Sequence, residues 1–483
     1  MRTRFPFLES LRRWSFRIGG ASKSALPLAA LFHSLSLFAQ TNVVRAPVPL
    51  SIRQAVERGL AVSEEARIAS SQTRETATGV AVAKSYILPE VNGQFQYTRT
   101  IRTLLTIPGL TGLPFGQANN YSMGIGVSQP LYRPGAVLGI HIAEDFLKVA
   151  KDQESEARLD LVLRICQAYY DTVLADALAA ISRAQAAQLD AQLRDVELQR
   201  KAGNASDLDV LRVRVNRENI EPQLVAVANA RDDALFALGE LLNIDKNSDL
   251  ILTDLLSADG FEPVSEDELQ RMVRNALNTR PSVRAAKRMA GIRETQIQQA
   301  RTSYYPTVDA IGNLGEQAYP GTLIPNSRDF IDNWSVGFQI NIPLYSSGRR
   351  KAQLKAAEER AQQAWLSLKL VQDSVESQAE EARRELRRSA ELVSTRTRTT
   401  AQATRVFDLT ELAYKQGSAS HLELDDARLN LRQSRANETQ AVHDYYLFYL
   451  RLLRSVGVPA ESFSSANSLM SHKPATVKKS SSP

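Results

Sequence analysis

The strongest constraint on the fold is a tandem duplication. Ser122–Gly135 reads SMGIGVSQPLYRPG, and Ser335–Gly348 reads SVGFQINIPLYSSG at an offset of 213 residues. RKAGNASDLDVL (Arg200–Leu211) is followed 214 residues later by YKQGSASHLELD (Tyr414–Asp425). SYILPEV (Ser85–Val91) returns as SYYPTV (Ser303–Val308), 217 residues on when Pro89 is set on Pro306. Self-similarity in one fixed order marks a structural unit used twice. The offset changes between candidate strands, where loops absorb insertions. The two units run over 51–243 and 265–458, with an irregular inter-repeat segment at 244–264. Residues 40–50 read as a linker, and 459–483, rich in Ser, Lys and Pro, as a disordered tail.

Each unit opens with a helical segment: Ser51–Ile87, with an expected break near Val62–Ser63, and Pro281–Tyr304. Pro89 and Pro306 mark the exits, because the residue before a proline resists the helical conformation. Two candidate strands follow in each unit. Gly93, Phe95 and Tyr97 alternate with Asn and Gln, and Tyr121, Met123, Ile125 and Val127 alternate with Ser and Gly. Trp334, Val336, Phe338, Ile340 and Ile342 alternate with Ser335, Gly337, Gln339 and Asn341; Val308, Ala310, Gly312 and Leu314 form a weaker face. Period-two alternation is the strand signal.

The polar face of these strands is small and uncharged, whereas the wet face of a soluble sheet generally carries Lys and Glu. Apolar outside and polar inside over about ten residues is the pattern of a membrane β-barrel. The expected lipid-facing residues are Phe95, Tyr97, Tyr121, Met123, Ile125, Trp334, Val336, Phe338 and Ile340. The loops TRTIRTLLTIPGLTGLPFGQAN and EQAYPGTLIPNSRDFID are long and rich in Gly and Pro, which suits outer-surface loops. A half-buried soluble sandwich competes with this reading until the helices are considered.

From Ala136 to Lys201 there is no proline and only one glycine, Gly139. A helix of that length spans about 100 Å. Arg349–Gln416 matches it without a single proline or glycine. Leu159, Val162, Cys166, Tyr169 and Val173 step by three and four, as do Leu189, Leu193 and Val196, which is a coiled-coil-like seam. Gly203 and Gly417 end these runs, and new helices start at Ser206 and Ser420, with Asp209 and Glu423 at capping-box spacing. Each unit therefore ends in a helical hairpin. The returning helices, Ser206–Leu242 and Ser420–Val456, are too short to match their partners, so the unit-opening helices are expected to dock end to end with them. Four strands cannot close a membrane barrel, which starts at about eight, so several chains must contribute.

Composition narrows the setting. Of the net charge of +6, residues 1–39 supply +5, from Arg2, Arg4, Arg12, Arg13, Arg17 and Lys23 against Glu9. A basic start, the apolar run Ala25–Ala39 and a small residue read as a signal peptide over 1–39. Without it no basic excess remains to suggest nucleic acid. Cys166 is the one cysteine and sits in a helical apolar pattern, so a buried thiol is expected rather than a nucleophile. His141, His421 and His443 lack metal-ligand spacing, and no GxSxG, P-loop or CxxC motif occurs. The expectation is a non-enzymatic protein with no metal and no cofactor. A periplasmic coiled-coil adaptor or scaffold would explain the hairpins, but not the strand Trp334–Ile342.

The order of these motifs over Ser51–Val458 resembles the TolC-like outer-membrane efflux proteins. The carriers are Leu88-Pro89 and Tyr305-Pro306, the exits Pro130–Tyr132 and Pro343–Arg349, and the turns following Gly203 and Gly417. The resemblance implies an α+β membrane protein. Its homotrimer would form a 12-stranded β-barrel in outer-membrane lipid, continuous with a periplasmic α-helical barrel. It also implies an exit duct that joins a periplasmic adaptor and an inner-membrane pump or ABC exporter. Carried over residue by residue, Asp426, Glu423 and Asp209 become candidates for an acidic periplasmic gate, with helix capping as the competing role for Glu423 and Asp209. Gly203, Asn204, Ala205, Gly417, Ser418 and Ala419 become candidate adaptor-contacting tips. Ala419 stands where some relatives carry a basic residue that could latch the turn.

Overall fold

The computed structural model describes residues 48–101, 118–244, 250–258, 261–459 and Phe463. Residues 1–39, expected to be a signal peptide, most of the first interstrand loop and nearly all of the expected tail lie outside them. Strand β1 (Val48–Leu50) leads into α1 (Ile52–Val62) and α2 (Glu64–Ser85), then β2 (Glu90–Arg99), β3 (Asn119–Tyr132), α3 (Pro134–Lys201) and α4 (Asp207–Leu241). After β4 (Leu250–Leu252) the same order of helices and strands returns as α5 (Glu266–Thr279), α6 (Pro281–Thr302), β5 (Thr307–Ala318), β6 (Phe330–Asn341), α7 (Arg349–Lys415) and α8 (His421–Val456).

The break between α1 and α2 falls at Ser63, whose extended backbone (φ −61°, ψ 131°) makes it the N-cap of α2. Helix α3 has 68 residues and α7 has 67, each about 100 Å at 1.5 Å per residue. Helix α3 packs on α2, α6, α4 and α8, and α7 on α6, α8 and α5. The seam Leu159, Val162, Cys166, Tyr169 and Val173 is buried throughout. Burial pushes the Cys166 thiol up to about 12, so this side chain packs rather than reacts.

The shorter helices meet end to end, as their lengths require. At the α4–α1 joint, Arg58 Nε donates to Leu242 O at 3.1 Å. At the α8–α6 joint, Arg280 Nη1 donates to Ser455 O at 2.9 Å, and its Nε and Nη2 reach Glu156 Oε1 at 3.1 and 2.8 Å. These bonds satisfy carbonyls that a helix C-terminus otherwise leaves without partners.

Two features differ from the sequence reading. The linker and the irregular inter-repeat segment hold β1 and β4, which pair in parallel with Leu50 opposite Leu252. Asp254 then pins the crossing: Ile52 N–H donates to its Oδ2 at 2.9 Å, and the buried Tyr169 hydroxyl lies 2.6 Å from the same oxygen. Strands of three residues are too short to show a period. The two Pro-Leu-Tyr stretches are also not equivalent. Strand β3 runs through Pro130 to Tyr132 with a register shift between them, whereas β6 stops at Asn341, before Pro343. Proline cannot donate to a ladder, so it is tolerated at an irregularity or outside the strand.

The strands form one antiparallel sheet in the order β2-β3-β5-β6. Phe95 lies opposite Met123, Ile125 opposite Leu314, and Leu314 opposite Trp334. This register places the apolar set of all four strands on one face.

Candidate functional site

The sheet and the hairpin tips are the two places where chemistry faces outward. On the sheet, Phe95, Trp334 and Phe338 are each about 70% exposed, and Val336 is 90% exposed. Met123, Ile125, Ile340 and Tyr97 are exposed on the same face; Tyr121 is half-buried beside Tyr97, ring centroids 4.6 Å apart. So large an apolar surface on one chain marks a contact with lipid or another chain. The opposite face carries Asn92, Gln94, Gln96, Ser122, Asn313, Ser335 and Gln339. Amides there bond along β2: Gln94 Nε2 donates to Gln96 Oε1 at 3.4 Å, and Gln96 Nε2 to Thr98 Oγ1 at 3.3 Å. The strands β2 and β6 leave both sheet edges unpaired among the described residues. Beyond the sheet, Tyr121 OH donates to Leu323 O and Asn119 Nδ2 to Thr322 O, which fixes the β5–β6 loop against β3.

At the far ends of the hairpins, Gly203 (φ +82°) and Gly417 (φ +74°) adopt the left-handed conformation. The following N–H groups reach back: Asn204 N donates to Gln199 O at 2.8 Å and Ser418 N to Ala413 O at 2.9 Å. That pattern closes a helix C-terminus and requires the positive φ that glycine tolerates. Gly203, Asn204, Gly417 and Ser418 are exposed, and Ala419 is half-buried. Ala205 packs on the small Val196–Val210–Val213 cluster.

The next turn starts each returning helix with a complete capping box. Ser206 N donates to Asp209 Oδ2 at 3.1 Å and Asp209 N to Ser206 Oγ at 3.2 Å; Ser420 N donates to Glu423 Oε2 at 2.7 Å and Glu423 N to Ser420 Oγ at 3.3 Å. Bonds from the Ser206 hydroxyl and backbone hold the Asp209 carboxyl below its ordinary range. Bonds from the Ser420 backbone and hydroxyl do the same for Glu423. The shorter Asp side chain serves as well as Glu in the box. Asp426 lies one turn further along α8, exposed.

Beside Asp426 the two hairpins touch. Gln192 of α3 is buried; its Nε2 lies 2.5 Å from His421 Nε2 and donates to Asp425 Oδ1 at 3.3 Å. Arg428 Nη1 stands 3.7 Å from Asp425 Oδ1, and Arg432 donates to Gln185 Oε1. Gln192 and Gln185 lie more than 200 positions from their partners on α8, so no local pattern announces those contacts. Among the described residues no cluster of three or more His, Cys, Asp or Glu could hold a metal ion. No helix among them is long and apolar enough to cross a membrane.

A sheet with one exposed apolar face, rooted on long solvated hairpins, defines an outer-membrane protein with a helical periplasmic portion. The sequence pattern of the family described as outer membrane efflux protein matches residues 45–243 and 272–458, and the chain belongs to that family. It is 22% identical over 343 residues to the outer membrane protein TolC of Vibrio cholerae, covering 70% of this chain and 77% of that one. It is 23% identical over 358 residues to the alkaline protease secretion protein AprF of Pseudomonas aeruginosa, covering 71% of each. The Campylobacter jejuni CmeC outer membrane channel superposes with a TM-score of 0.68 at 15% identity, over 93% of this chain and 97% of that one. At that identity the superposition speaks for the fold alone.

Proposed function

We propose that this chain is the outer-membrane exit duct of a tripartite efflux pump or type I secretion system. It gives passive passage across periplasm and outer membrane when a periplasmic adaptor and an inner-membrane pump or ABC exporter engage it. The observation that carries this reading is the four-stranded sheet with one exposed apolar face, a polar face dominated by amides and hydroxyls, and two edges open among the described residues. Three chains joined β6 to β2 would make twelve strands in antiparallel alternation, polar face inward. The duplicated order of elements would then line one tunnel six times over.

The hairpin tips are the proposed adaptor contact, at Gly203–Ala205 and Gly417–Ala419. Asp426 is the proposed gate carboxylate: three copies around a narrow axis would repel one another and hinder anions. Glu423 and Asp209 are engaged as helix caps, so their proposed part in the gate is secondary. The Gln192–His421–Asp425 contact supports a closed arrangement of the two hairpins without a basic residue at position 419.

The test is extraction followed by reconstitution. The account expects membranes washed with carbonate to retain the protein, and the detergent-purified protein to give discrete conductance steps in a planar bilayer. Release by carbonate with no conductance would favour the adaptor or scaffold reading.

A further inference from the structure

Behind the α8 tip, between the two hairpins, lies a cleft of about 700 Å³. Leu189 of α3, Phe407 of α7 and Leu429 of α8 give it apolar walls. Its polar groups are not balanced. Arg428, Arg432 and Arg435 project from α8 at i, i+4 and i+7, on one helical face, and all line the cleft. Arg432 is half-buried and donates to a neutral acceptor, Gln185 Oε1; among the described residues it forms no ion pair. Burial alone pushes its guanidinium down from the ordinary value, with no neighbouring carboxylate opposing it. Arg428 Nε is buried and finds no acceptor among the described residues.

A guanidinium held partly out of water beside a neutral amide leaves its strongest interaction unmade. An oxyanion would supply charge-assisted, bidentate bonds at the same place. Apolar walls with a few convergent polar groups are what small-molecule sites are built from. The carboxylates Asp425 and Asp426 line the tip-ward end of the cleft. They would repel an acidic head there and so direct it toward Arg432 and Arg435.

We propose that this cleft binds one small amphipathic anion per chain, a carboxylate, sulfonate or phosphate monoester. Its head is held by Arg432 between Arg428 and Arg435, and its apolar body lies against Leu189, Phe407 and Leu429. The site is built within one chain and does not depend on Asp426 acting as a gate.

The experiment uses the purified full chain in non-ionic detergent and two probes, naphthalene-1-sulfonate and the neutral 1-naphthalenemethanol, followed by saturation-transfer NMR. Saturable sulfonate binding is expected, with the neutral probe weaker. Arg432→Gln should weaken the sulfonate about tenfold, the loss expected for one charge-assisted bond, and leave the neutral probe unchanged. Arg432→Lys should recover part of the loss. Because Arg432 also bonds Gln185, the exposed Arg435→Gln serves as a second variant, expected to weaken the sulfonate alone by a smaller factor. Absence of saturable binding, equal binding of the two probes, or unchanged sulfonate affinity in both glutamine variants would overturn the proposal.

Discussion

Glu423 Oε2 accepts from the backbone N–H of Ser420, and Asp209 Oδ2 accepts in the same way from Ser206. These carboxylates are committed to the start of a helix, whereas Asp426 is exposed one turn further on. The account therefore expects Asp426→Ala to raise single-channel conductance or antibiotic entry severalfold. Glu423→Gln, which keeps the capping geometry, should change either by far less. Equal effects of the two variants would remove Asp426 from its special place. Glycines at helix ends allow a second comparison at this scale. Gly417 and Gly457 share a left-handed φ, +74° and +77°. A Cβ at Gly417 meets nothing within 4 Å, whereas one at Gly457 comes within 2.8 Å of Arg280 Cα. Gly417→Ala should cost about 1–2 kcal/mol, the strain of the backbone conformation, read as faster amide exchange at the end of α7. Gly457→Ala should cost more, because the α8–α6 joint must also shift; a smaller effect there than at Gly417 would contradict the joint.

Between elements, the contact of α3 with α8 carries a titratable group. His443 of α8 is buried; its Nε2 lies 2.8 Å from Asp171 of α3 and its Nδ1 lies 3.1 Å from Asp444, with Gln440 beside it. Burial alone would lower its pKa, but hydrogen bonds to the two carboxylates outweigh that, and the net shift is upward from 6.5. A raised folded value stabilises the fold fully below the ordinary pKa and loses that contribution as pH rises through the folded one. Thermal unfolding should therefore show the gap between the wild type and His443→Gln largest near about pH 6 and shrinking toward about pH 9. A gap that widens with pH would contradict the assignment.

Long elements like these were legible in the sequence. The break at Ser63, the heptad-like seam through Tyr169 and the capping serines 206 and 420 each follow from local rules that nothing in the tertiary structure overrides. Strands β1 and β4 and the Asp254–Tyr169 contact were not legible, because three residues carry no period and the partners come from distant parts of the chain. The same holds at the tip. The glycine turns and Asp426 could be read from the repeat, but Gln192 meeting His421 and the cleft that the arginines of α8 line emerge only when the two hairpins lie side by side.

For the whole molecule, the sheet is the argument. Phe95, Trp334 and Phe338 face outward on a surface that no part of the described chain covers, and β2 and β6 leave their edges open. Edge strands of this length invite pairing with another chain. Closure into a barrel removes the edges and gives the apolar face to lipid in one step. The most direct test is disulfide crosslinking in intact outer membranes, in a Cys166→Ala background. Single cysteines would be placed at successive positions of β2 and of β6 and paired across the two edges. The account predicts that pairs near one register crosslink into species that climb to three chains and stop. A folded protein that crosslinks at no pair, or that forms ladders beyond three, would contradict the shared barrel.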